Sequence, residues 1–119
     1  MMKRLLLIAM WGSLAVVVAA QTAPAGNAEK GKQTFMKQNC YYCHGTVGQG
    51  SRDGARLYNT ALNADGLIRY VRKPAGAMPA YTEKVIPDQD LRDILAYLKS
   101  LPAPKAPKDI PLLEQSRDK

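Results

Sequence analysis

The stretch QNCYYCHG, residues 38–45, holds both cysteines and the single histidine of a 119-residue chain. Two thiols three positions apart, followed at once by an imidazole, raise four chemistries. A disulfide inside one turn closes a very small loop and contributes little stability. A dithiol redox pair belongs at a strand-to-helix junction in a βαβ setting, and no such setting surrounds Cys40 and Cys43. Structural zinc wants four nitrogen or sulfur ligands, and Cys40, Cys43 and His44 are all that the chain offers.

The fourth chemistry is covalent haem c. In C-x-x-C-H the two thiols add to the vinyl groups of the porphyrin, and one helical turn spaces them to reach both. The adjacent imidazole then lies under the ring and ligates iron. Cys40 and Cys43 are therefore the expected attachment points, and His44 the expected axial ligand.

The N-terminus is compatible with this chemistry, because haem c is attached outside the cytoplasm. Lys3 and Arg4 precede an apolar run, LLLIAMWGSLAVVVAA, that ends in small residues at Ala20. That layout predicts a secretory signal peptide over residues 1–20, cleaved after Ala20, with APA (residues 23–25) as a second, weaker site. The run is shorter than a membrane span requires and contains Gly12 and Ser13. Cleavage leaves 99 residues, the size of one small domain, with no stable membrane insertion and an expected periplasmic location. The formal charge falls from +7 to +5 when Lys3 and Arg4 leave. A basic face of this kind steers acidic partners. No nucleic-acid recognition motif accompanies it.

Outward from the motif the chain reads as helix and loop. Residues 27–38 form a helix with Asn27 as N-cap, and Ala28, Gly31, Phe35 and Gln38 share one face. Gly31 costs helix stability, which points to close packing against another backbone. Residues 45–63 are rich in Gly, Ser, Asp and Asn and read as loop; residues 63–73 form a short helix that must stop before Pro74. The clearest helix is DQDLRDILAYLKSL (residues 88–101), where Leu91, Ile94, Leu95, Leu98 and Leu101 make one apolar stripe and Pro102 ends it. Nothing alternates as a strand does, so the class is all-α, in three parts: signal peptide 1–20, one domain 21–102, and an extended Pro/Lys-rich tail 103–119. Leu57, Leu62, Leu67, Ile68 and Val71 with the stripe make a thin core, with one Phe and no Trp left after cleavage. A large apolar group is missing from the middle, and a haem supplies it.

Iron held by His44 has a sixth position, and there is no second histidine to fill it. After cleavage only Met36 and Met78 remain. Met36 lies four residues before Cys40, where core filling suits it. Met78 lies in AGAMPAY, where Pro79 disfavours helix and Gly76, Ala77 and Ala80 let the loop approach a flat ring. Met78 is the expected sixth ligand.

Over residues 26–101 the sequence resembles a class I monohaem cytochrome c of the small bacterial type. Gly31 and Phe35 resemble the G-x-x-x-F of the family's first helix, CYYCHG its attachment site, VRKPAGAMPAY its methionine loop, and LRDILAYLKSLP its last helix. Tyr97 falls at the aromatic position that, by this resemblance, packs across Gly31 and Phe35. The family usually has G-P-x-L after the motif, whose proline carbonyl accepts from the ligating histidine; here the stretch is GARL, with Ala55 in that place. A carbonyl needs no particular side chain, so the bond survives while the loop loses rigidity.

The resemblance implies a helical wrap around one covalently attached haem and a one-electron carrier rather than an enzyme. Its partners are redox proteins (dehydrogenase, oxidase or reductase) with an acidic docking face. Lys30, Lys32, Lys37, Arg52, Arg56, Arg72 and Lys73 are candidates to ring the haem edge, and Arg56, Arg69, Tyr58 and Tyr70 to meet the propionates. The alternative is a dedicated cytochrome subunit or electron acceptor of a periplasmic dehydrogenase, with the tail as docking strap. A haem peroxidase or gas sensor needs an open iron position and polar distal groups, and Met78 closes that position.

Overall fold

The computed structural model describes residues 25–103 and 105–117. The expected signal peptide, residues 1–20, lies outside them. Among the described residues five helices follow one another: α1 (Ala28–Lys37), α2 (Cys40–His44), α3 (Ala64–Arg72), α4 (Asp88–Ser100) and α5 (Pro111–Arg117), with a 3-10 turn at Pro107–Asp109. The described residues contain no strand, and the fold is all-α.

Local chemistry sets the helix starts. Asn27 caps α1, its side-chain oxygen accepting from the Lys30 amide at 2.9 Å. Asn63 does the same for α3, accepting from the Gly66 amide at 2.8 Å. Such caps satisfy amides that have no partner inside the helix. α4 starts differently, with Pro87 as N-cap and no side-chain cap. Ile86 and Leu91, on either side of its first turn, have the spacing of a hydrophobic staple, and both are buried.

α1 and α4 make the main helix pair. Their backbones touch at Gly31, where any Cβ would overlap the carbonyl of Asp93. Next to that contact Asp93 is buried and accepts from the Asn27 amide at 2.8 Å and from the Gln89 side chain at 3.0 Å. Phe35 is fully buried, and its ring lies 5.7 Å from that of Tyr97 in a tilted arrangement. The Tyr97 hydroxyl donates to the Thr46 carbonyl at 2.9 Å, tying α4 to the loop after α2.

The core consists of Phe35, Leu67, Val71, Ile86 and the stripe Leu91, Ile94, Leu95, Tyr97 and Leu98. Three expectations change. Leu62 is exposed, because it lies in the extended approach to Asn63 and not on the inner face of α3. Met36 is exposed rather than filling the core, because its neighbour Phe35 takes the inward face of α1. The tail is not simply extended. It carries the 3-10 turn and α5, which among the described elements touches only that turn and leaves Leu112 and Leu113 exposed.

Two measurements test this frame. Gly31→Ala forces the two backbones apart and should cost about 1–3 kcal/mol in denaturant unfolding; a loss under ~0.5 kcal/mol would contradict the contact. Burial pushes the Tyr97 phenol above its ordinary value. The folded chain therefore keeps that proton more tightly than the unfolded chain. The resulting stabilisation is complete below the ordinary phenol value and is lost as pH rises through the raised one. Tyr97→Phe should cost about 1 kcal/mol at neutral pH and flatten the alkaline fall in stability.

Candidate functional site

Asn39, with a left-handed φ of 58°, breaks α1 from α2 and starts the short helix that carries the motif. Within α2, Cys40 and His44 are four residues apart, so they share a face. Both line an open cleft. Its remaining wall is Phe35 from α1, Leu57, Leu67 and Val71, Tyr81 and Ile86, and the α4 stripe residues Leu91, Ile94 and Leu98. The accessible wall is wholly apolar. Cys40 and Cys43 are both free thiols. Burial pushes the Cys40 thiol up. It also pushes up the Tyr81 phenol, with the two cysteines adding to the effect.

The loop after α2 fixes the imidazole. His44 Nδ1 lies 2.7 Å from the Ala55 carbonyl oxygen. A carbonyl can only accept, so Nδ1 carries the proton and Nε2 keeps a free lone pair. The acceptor is itself held. The Ser51 hydroxyl donates to the Cys43 carbonyl at 2.6 Å, the Gly50 amide to His44 at 2.8 Å, and the Leu57 and Tyr58 amides to Gly48 at 2.8 and 2.9 Å. Gly54 presses against the Cys43 carbonyl so closely that a Cβ there would overlap it. Ala55, the departure from the family's proline, thus keeps the bond through its backbone.

Met78 is half-buried and packs against the core cluster, but it does not line the cleft; its loop contributes Tyr81 and Ile86 to that wall. Cys43 shares the α2 turn with Cys40 and His44 without lining the cleft. Among the other candidates, Arg69 and Tyr70 are exposed, and the Arg56 guanidinium stands 5.3 Å from the Tyr58 ring centroid. Lys30, Lys32, Lys37, Arg52 and Lys73 are exposed.

Arg72 is not a free surface cation. It donates to the Tyr81 carbonyl at 3.0 Å and the Ile86 carbonyl at 2.8 Å, and pairs with Asp88. Sequence reading missed this role and the wall positions Tyr81 and Ile86. The apolar pair flanking the start of α4 was the available signal for Ile86.

The residues present fit a haem. The cleft is apolar as a macrocycle requires, it has a thiol at its wall, and its imidazole has one nitrogen satisfied and the other free to ligate. An all-helical domain built over such a cleft has the form of a small c-type cytochrome. The chain belongs to the family described as cytochrome C oxidase, cbb3-type, subunit III, whose profile matches residues 26–98, more than half its length. No curated protein and no solved structure matches the chain. Membership makes it a small monohaem c-type cytochrome, a haem c-binding electron carrier and not an enzyme.

Gly54→Ala pushes the 54–55 segment off the α2 turn. It should cost about 1–3 kcal/mol in stability and lower the yield of haem-loaded protein. Unchanged stability and loading would show that the segment does not support His44.

Proposed function

We propose that the chain is a periplasmic one-electron carrier with a single haem c attached through Cys40 and Cys43 and ligated by His44 and Met78. The observation that carries this reading is the His44–Ala55 hydrogen bond at the edge of an apolar cleft, which presents Nε2 as a ligand beside a free thiol. When bound, the haem supplies an iron centre that cycles between two oxidation states. The protein's residues do the rest. Cys40 and Cys43 would hold the haem covalently as thioethers, His44 is held in one tautomer, and the α4 stripe would keep water out of the cleft. Met78, a soft thioether, favours Fe(II) and raises the potential relative to two imidazoles.

The exposed cations Lys30, Lys32, Lys37, Arg52, Arg56 and Lys73 suit an acidic docking face on a redox partner. The family's description names a cytochrome c oxidase, which makes such an oxidase a candidate acceptor. The dedicated subunit of a periplasmic dehydrogenase stays the alternative. It gains one observation in α5, whose Leu112 and Leu113 are left exposed. Residues 1–20 direct export and are then removed, and no helix among the described residues is long and apolar enough to cross a membrane.

A pyridine haemochrome assay after acid-acetone extraction should find one haem per chain still bound. Haem lost to the organic phase would sink covalent attachment. Met78→Ala should abolish the weak far-red band of ferric thioether ligation. It should also lower the potential by on the order of 0.1–0.3 V, within the roughly 0.8 V that axial ligands span.

A further inference from the structure

The Met78 loop leaves α3 at Lys73 and returns to the start of α4 at Pro87. Its return half is pinned while its outgoing half is not. The Tyr81 amide donates to the Val71 carbonyl at 3.1 Å. The next residue, Arg72, reaches the Tyr81 and Ile86 carbonyls at 3.0 and 2.8 Å and pairs with Asp88. One guanidinium, partly shielded from solvent, therefore gathers three points of the chain that span residues 81–88. At the tip the surroundings are open. Ala75, Gly76 and Ala77 are exposed, and no atom of another segment stands within 4 Å of where a Cβ on Gly76 would be.

We propose that Arg72 is the positioning residue for the sixth ligand, a clasp that keeps the free span short enough for Met78 to stay at the iron. The proposal rests on Met78 being that ligand. A guanidinium suits the task because its planar fork satisfies several oxygens at fixed angles, which a lysine ammonium does not. With the clasp closed, the unsupported chain carrying Met78 is residues 74–80; without it Tyr81 is left with its amide bond to Val71 and its hydroxyl on the Gln38 carbonyl, and each opening of these lets the span extend to residue 87, about twice the length. Doubling a flexible span dilutes its ligand about threefold through closure entropy alone. Loss of the partly exposed Arg72–Asp88 pair adds about a further threefold and brings the effect to about tenfold.

The test uses full-length haem-loaded protein titrated with imidazole, which competes with Met78, while the far-red band is followed. Arg72→Gln should bind imidazole about three- to tenfold more tightly than wild type and show a weakened band. Arg72→Lys should fall between them. In a Met78→Ala background, where no thioether is left to displace, Arg72→Gln should change imidazole affinity less than about twofold. Unchanged affinity and band in Arg72→Gln would overturn the clasp, as would an equal shift in the Met78→Ala background. A wild type with no far-red band, whose imidazole affinity ignores Met78→Ala, refutes the Met78 ligand itself, a result distinct from failure of the clasp. Should Arg72→Gln fail to load haem, Asp88→Asn keeps both carbonyl bonds and should give a smaller shift of the same sign, about two- to threefold.

Discussion

The contact of two helix backbones at Gly31 sets the rest of the domain. With no side chain between them, α1 and α4 approach until the Asp93 carbonyl lies against Gly31, and Asp93 itself holds the first amide before α1. That approach pairs Phe35 with Tyr97 and aims the Leu91, Ile94 and Leu98 stripe at the space below α2. Because α2 follows α1 through the left-handed Asn39, the position of Cys40 and His44 over that stripe is inherited from the crossing. A wider crossing would leave the same motif on a helix with no apolar floor beneath it.

The loop between α2 and α3 has almost no regular structure, yet it is the part that fixes the chemistry of His44. Backbone bonds from Gly50 to His44 and from Leu57 and Tyr58 to Gly48, with Ser51 to Cys43, fold residues 45–58 back onto the turn they leave. This delivers a carbonyl to Nδ1. The side chain at position 55 plays no part, which is why alanine can stand where the resembling family has proline.

Much of this was legible because it depends on neighbours in sequence. Asn27 and Asn63 cap the helices that follow them, the α4 stripe repeats at helical spacing, and the C-x-x-C-H turn announces its own chemistry. What the sequence hid depends on the path of a loop. Arg72 looks like one more surface cation until residues 73–87 fold back and present two carbonyls and a carboxylate to it. Leu62 and Met36 looked like core by composition, but the extended chain before α3 and the rotation of α1 leave both exposed. The helix in PLLEQSR lies beyond a proline-rich stretch whose composition suggested only extension.

On the proposed ligation the two sides of the iron are held with very different stiffness. His44 is bracketed by two thiols in its own helix and by a carbonyl whose loop is tied at several points. Met78 rides on a loop that is open around Gly76 and whose return is the fastened half. Electron transfer at low cost needs both ligands to stay in place in both oxidation states. The histidine side meets that demand by redundancy, since no single bond decides it. The methionine side has fewer ties, and one arginine makes three of them. An alteration that tunes or opens this iron without unfolding the domain therefore acts through residues 72–88, where the structure is held by few bonds, and not through the motif that first identifies the site.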